Sequence, residues 1–219
     1  IMDPKLDGLI KEGYCLFEDV LSDDLLRRLR VASDKLLDEN ETEHKDTNQG
    51  NLAFMQFQDP AFLDLNTWPG ALAVLSRLGF DRPRFWSGFA IAKERGETPL
   101  YWHQDWAFWD EPEAADHMPH QLFFMYYLTD TQVENGCLRL IPKSHRQRFD
   151  LHEHLGKGHD SDIRHTDDHR HPLFSEHSAE IDVSINAGDL VVGDARLLHS
   201  AHTNQTGERR TVLTLWYLP

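Results

Sequence analysis

From Arg84 to the last residue the apolar side chains of this chain come in short runs, and that texture restricts its fold more than any other feature. Arg84–Ala92, Gln121–Leu128, Cys137–Ile141, Ile181–Ile185, Leu190–Val192 and Thr211–Tyr217 are rich in aromatic and β-branched residues, which suit a pleated surface. Turn signals separate them, as at Asn135-Gly136 and Ala187-Gly188-Asp189. Many short strands joined by turns predict a mainly β core over about 84–219. The first third reads differently. Residues 3–14 suggest a short helix ending at Gly13, followed by a brief strand, Tyr14–Phe17. Leu25, Leu26, Leu29, Ala32, Leu36 and Leu37 keep helical spacing behind a candidate N-cap, Ser22, so an amphipathic helix is expected over 22–39. Asn51–Gln58 is strand-like, and 69–78 reads as another helix with Gly79 as its C-cap. Helices over about 1–80 thus form a collar on a β core.

Other properties bound the function. A length of 219 residues with 40% hydrophobic content fits one globular domain, 1–219. A formal net charge of −15 argues against a broad basic face for nucleic acid or an anionic membrane. Two cysteines, Cys15 and Cys137, make neither a disulfide framework nor a Cys-rich metal site and fit a reducing, cytoplasmic setting. No run of about 18 apolar residues is present, and Asp3-Pro4-Lys5 leads into charged sequence rather than a signal peptide. Ile1 ahead of Met2 suggests a cloning remnant or a fragment. No repeat and no glycine-rich nucleotide motif is present.

Chemistry concentrates in Tyr101-Trp102-His103-Gln104-Asp105. On a strand, His103 and Asp105 point to one side and Gln104 to the other. An imidazole and a carboxylate side by side supply two of the three ligands of a facial 2-His-1-carboxylate iron(II) site. The third must come from far along the chain, where His199 and His202 are both candidates. A histidine beside a solvated acid is the competing reading in a chain with 14 His.

Residues 144–177 hold His145, His152, His154, His159, His165, His169, His171 and His177. Their spacing is irregular, no Cys accompanies them, and Asp and Arg are interleaved. The segment is expected to be a solvated loop folding over an active site. A secondary metal site is the alternative.

Four separated pieces occur in order: His103-Gln104-Asp105; Asn135-Gly136-Cys137-Leu138 running to Ile141-Pro142-Lys143-Ser144-His145; Gly188-Asp189 leading to His199 and Asn204; and Arg210, eleven residues after His199. Together, from about Lys11 to the end, they resemble the phytanoyl-CoA dioxygenase family of iron(II)/2-oxoglutarate oxygenases. Lys143 stands where the family usually has Gly, and Ala201 where many relatives have Ser.

The resemblance implies a double-stranded β-helix (jelly roll, cupin-like) core. It implies Fe(II), 2-oxoglutarate and O2, with His103, Asp105 and His199 as metal ligands and Arg210 as partner of the distal 2-oxoglutarate carboxylate. A guanidinium suits that carboxylate through two parallel N–H bonds. The family spacing selects His199 over His202 and Arg210 over Arg209; on a strand the two arginines face opposite ways. Met125 falls where many relatives place a Trp against the cosubstrate, and Gln56 lies where relatives often supply a polar contact. Trp102, Trp106, Phe108 and Trp109 flank the ligand motif, mostly as core, with one or two expected to wall a substrate pocket. Halogenating relatives lack the carboxylate, so Asp105 disfavours halogenation and favours hydroxylation of an unactivated C–H bond in a small molecule, or a related oxidation such as desaturation or ring closure, with release of succinate and CO2. Two rival readings are a non-catalytic jelly-roll binding protein and a His-rich metal-binding protein. Selectivity is expected in loops 40–50 and 144–177.

Overall fold

A computed structural model describes residues 2–39, 48–96, 98–106, 108, 111–156 and 161–219. Among the described residues before Arg84 lie four helices: α1 (Pro4–Glu12), α2 (Asp23–Glu39), α3 (Pro60–Asn66) and α4 (Pro69–Arg77). Gly13 closes α1 in the left-handed region at φ 92°, and the Ser22 hydroxyl accepts from Leu25 N at the start of α2. Leu78 caps α4, and Gly79 takes the left-handed position just beyond. Helix α3 was hidden inside an apolar stretch. Its signal is Asp59-Pro60, a carboxylate that accepts from Ala61 N ahead of a proline in the first turn.

Among the described residues ten strands make two antiparallel sheets: β1 (Tyr14–Phe17), β2 (Asn51–Phe54), β3 (Arg84–Lys93), β4 (Leu100–His103), β5 (Leu122–Tyr127), β6 (Leu138–Leu140), β7 (Ile181–Val183), β8 (Leu190–Asp194), β9 (His199–Ala201) and β10 (Arg210–Leu218). The larger sheet runs β1-β8-β5-β10-β3-β2 and the smaller β4-β9-β6-β7. This is the expected mainly β, jelly-roll architecture.

The middle of the larger sheet is buried on both faces, which is why β5, Leu-Phe-Phe-Met-Tyr-Tyr, shows no polar alternation. Phe124, Tyr126, Leu213 and Leu215 pack outward against Leu25, Leu29, Phe62 and Leu75 of the helices. Phe123, Met125, Tyr127 and Val212 point inward and meet Leu138 and Leu140 of the smaller sheet. The inward face between the sheets is where a site can form.

Residues 144–177 depart from the solvated-loop expectation. The segment contains 3-10 turns at Asp150–Glu153 and Pro172–Phe174 and a short helix, α5 (Ser161–His165). Leu151, Leu173 and Phe174 are buried with Tyr101 and Trp102, covering the outer side of the smaller sheet. Trp102 Nε1 donates to Ser175 O, and the Arg139 guanidinium lies 4.8 Å over the Trp102 ring. Apolar burial therefore outweighs the polar composition. His159 and residues 40–47 lie outside the described residues.

Candidate metal centre

Strand β4 ends at His103, and Asp105 sits in the bend that follows. The expected parity still holds. His103 and Asp105 converge, with Nε2 to Oδ1 at 3.6 Å, while Gln104 turns away to donate to the Arg196 carbonyl. That contact ties the motif to the turn before β9. Arg196 is locked there by Asp194 (Nε–Oδ1 2.9 Å, Nη2–Oδ2 2.6 Å) and by the carbonyls of Ala114 and Asp116. Cross-strand pairing then sets His199 opposite His103. His199 Nε2 lies 3.7 Å from Asp105 Oδ2, and the two imidazole centroids are 4.1 Å apart.

Both rings have their other nitrogen occupied. His103 Nδ1 donates to Tyr101 O at 3.0 Å and His199 Nδ1 to Leu197 O at 2.9 Å. This tautomer leaves the Nε2 lone pairs facing the carboxylate. Trp216 Nε1 donates to Asp105 Oδ2 at 2.7 Å, which keeps that oxygen an acceptor. The three ligand atoms lie within 4.8 Å of one another, and both histidines are buried. Separations of 3.6 and 3.7 Å exceed hydrogen bonds and leave room between the groups. Two imidazoles and a carboxylate on one side fit an iron(II) centre with open positions.

The centre opens into a cavity of about 460 Å³ between the sheets, within the range of about 300–1,000 Å³ usual for small-molecule sites. Register stacks its wall in rows: Lys93 beside Arg210; Leu52, Ile91, Val212 and Tyr127; Phe54, Phe89, Thr214 and Met125; then Ser87 and Trp216. Arg210 is buried on this inner face. Arg209 points out, pairing with Asp34, Asp38 and Glu94. Burial pushes the Tyr127 hydroxyl up to about 12, partly countered by the Arg210 charge, so it stays a neutral donor.

Other motif residues hold this frame. Gly136, at φ 89°, has room for no Cβ because His202 O would be 2.9 Å away. Asn204 is fully buried and donates to Lys93 O (2.9 Å) and Glu208 O (2.7 Å), binding the end of β3 to the approach of β10. Ser144 accepts from Leu198 N at 2.8 Å, next to His199. Lys143 adopts φ 71°, the left-handed position that explains the usual glycine there.

Several expectations are corrected. Gln56 has the parity of Leu52 and Phe54, but β2 ends at Phe54, and Gln56 is exposed off the cavity. Gln49, earlier in that segment, lines the cavity instead. Met125 does line it. His202 turns away to Asp182 (Nε2–Oδ1 2.6 Å) and is absent from the cavity wall. Trp102, Trp106 and Phe108 do not line the cavity, and Trp109 lies outside the described residues. The aromatic wall comes from Phe54, Trp86, Phe89 and Trp216. Trp216 shares the parity of Arg210 along one strand, a signal available in the sequence. Lys93 and Arg164, also on the cavity, had no such signal because strand pairing and loop docking place them.

A profile of the phytanoyl-CoA dioxygenase (PhyH) family matches residues 10–212. No curated protein sequence matches the chain. Solved structures share its fold. The non-heme alpha-ketoglutarate-dependent carbocyclase SnoK from nogalamycin biosynthesis aligns at TM-score 0.73 and 22% identity, over 100% of this chain and 84% of that one. The epimerase SnoN from the same biosynthesis aligns at 0.72 and 22%, over 98% and 81%. EctD from S. alaskensis, with 2-oxoglutarate and 5-hydroxyectoine, aligns at 0.71 and 21%, over 100% and 76%. The donor set fits the iron(II), 2-oxoglutarate and O2 that the family uses. With the profile spanning nearly the whole chain and the His-Asp-His cluster in place, this protein belongs to the phytanoyl-CoA dioxygenase family of iron(II)- and 2-oxoglutarate-dependent oxygenases.

Proposed function

We propose that the reaction is hydroxylation of an unactivated C–H bond in a small molecule, with His103, Asp105 and His199 as the iron(II) ligands. The observation that carries this is the convergence of two tautomer-fixed imidazoles and an oriented carboxylate at one end of a cavity, with a buried arginine at the other. Arg210 binds the distal carboxylate of 2-oxoglutarate, and Met125 and Val212 pack against its carbon chain. Tyr127 supplies a neutral hydroxyl nearby. Ile91, Leu138 and Val212 exclude water, which strengthens charge interactions inside. When bound, the iron supplies the oxidising power that couples decarboxylation of 2-oxoglutarate, to succinate and CO2, to substrate oxidation. Asp105 takes the position a halide ligand would need, which argues against halogenation. The two free thiols, Cys15 and Cys137, fit a cytoplasmic setting. Among the described residues no helix is long and apolar enough to cross a membrane.

The test is an anaerobic titration of apoprotein with iron(II) and 2-oxoglutarate, followed by the visible charge-transfer band of the chelated 2-oxo acid. A band saturating at one iron per chain is expected, lost in His199→Ala and kept in His202→Ala. Loose iron at several places without a band sinks the reading.

A further inference from the structure

The cavity carries a cation that the oxygenase reading leaves without a task. Lys93, Arg164 and Arg210 all line it, whereas Asp105 is the one acid on its wall among the described residues. That polarity runs against a chain of net charge −15. Arg210 is assigned to 2-oxoglutarate, and Lys93 Nζ donates to Thr98 O at 2.6 Å. Arg164 makes no ion pair among the described residues, and its Nε is buried without a hydrogen-bond partner. With Nε shielded, the terminal nitrogens are the part of this unpaired guanidinium that can offer two N–H donors to an anion in the cavity.

Its placement is built. Asn48 grips the backbone of α5 twice and the residue just beyond it once, with its N donating to Arg164 O (2.8 Å) and its Nδ2 to Ile163 O (3.1 Å) and Thr166 O (3.0 Å). Thr98 then donates to Asn48 Oδ1 at 3.2 Å. The segment over 161–166 is thus pinned to the rim, and Arg164 reaches the cavity.

The rest of the rim is aromatic and wet. Phe54 and Trp86 are each 66% exposed although both line the cavity. Phe54 lies 4.1 Å from Phe89, whose ring meets Trp216 edge-on at 5.9 Å. Trp86 is the extra residue of a β-bulge, since Ser87 pairs with Trp216 and Phe85 with Tyr217. The bulge brings it onto the cavity side beside Ser87. Large exposed rings around a cavity mouth are apolar surface waiting to be covered.

We propose, resting on the oxygenase reading, that the primary substrate is a ring-bearing organic oxyanion that seats its charge on Arg164 and its flat apolar body on Phe54, Trp86 and Phe89. A planar guanidinium recognises an oxyanion through paired N–H bonds.

The experiment compares 2-naphthoate with its neutral isostere 2-naphthamide. Both are titrated calorimetrically and anaerobically into protein saturated with iron(II) and 2-oxoglutarate. Naphthoate is expected to bind at least tenfold more tightly. Arg164→Gln removes that preference and Arg164→Lys keeps part of it, while Trp86→Ala weakens both probes alike. The 2-oxoglutarate band persists in all three variants. Equal affinity for the two probes, or a preference that survives Arg164→Gln, overturns the proposal. Loss of the band in the unaltered protein removes the oxygenase reading beneath it, so the two failures are distinct.

Discussion

Trp216 Nε1 donates to Asp105 Oδ2 across a 2.7 Å hydrogen bond that joins the last strand of the larger sheet to the bend after β4. Asp105 lies outside any strand, so no ladder holds its carboxylate in place, and the indole is one group that orients it. Trp216→Phe keeps most of the ring and removes the donor. Iron(II) affinity should fall roughly 10–100-fold, the usual cost of losing a group that orients a ligand. The band should reappear at higher iron, with the melting temperature nearly unchanged. Unaltered affinity would show the carboxylate to be fixed by other means.

The neighbouring arginines predict opposite results. Arg210→Gln deletes a charge-assisted contact of about 1.5–3 kcal/mol, so the 2-oxoglutarate dissociation constant should rise roughly 10- to 150-fold. Arg209→Gln breaks surface pairs with Asp34, Asp38 and Glu94. Such pairs contribute about 1 kcal/mol or less, and 2-oxoglutarate binding should not move. Titrating each variant with the cosubstrate separates the two.

Gly193 faces the ring of Phe123 across paired strands, and a Cβ there would sit 2.0 Å from Phe123 Cζ. The same ring lies 5.0 Å from that of His199. Gly193→Ala should cost about 1–3 kcal/mol by overpacking and weaken iron binding by displacing His199. Adding Phe123→Leu should restore part of the loss in a urea melt. Strictly additive losses would refute this coupling.

Lys143 holds a left-handed backbone at φ 71° with its side chain half exposed near Glu12. That conformation costs a side-chain-bearing residue about 1–2 kcal/mol. Greater freedom of glycine in the unfolded chain offsets part of the relief. Lys143→Gly should therefore raise stability by up to about 1 kcal/mol, read as a higher denaturation midpoint.

Burial lowers the pKa values of His145 and His152 below the ordinary 6.5. His145 donates to Ile10 O at 2.9 Å, and His152 Nδ1 accepts from Phe149 N at 2.9 Å. Burial thus favours the neutral ring in the fold, and below 6.5 the unfolded chain binds more protons. Their contribution is complete above that pH and is lost as pH falls toward the folded values. Between pH 7.5 and 5.5 the melting temperature should drop. The drop should shrink in His145→Gln, whose amide can still donate to Ile10 O; an equal drop in both proteins counts against this origin.

The chain's own pattern settled the local elements and pointed to the residues of the candidate site. Tyr14–Phe17, the α2 stripe and most core strands follow from period and turn chemistry, which act between near neighbours. Strand parity put His103 beside Asp105 and set Arg210 and Arg209 on opposite faces, while His199 and Arg210 were singled out through the resemblance to the family. What the chain could not reveal depends on which strands pair and which loops dock. Gln56 had the right parity yet lay past the end of β2. Residues 144–177 read as solvated, although Leu151, Leu173 and Phe174 bury against Trp102. Lys93 reaches the site only because β3 pairs with β10 in a register that sets it opposite Arg210. Arg164 reaches it only because Asn48 grips a helix more than a hundred residues away. Local sequence determines which face a side chain takes, while long-range burial and strand register decide which faces meet.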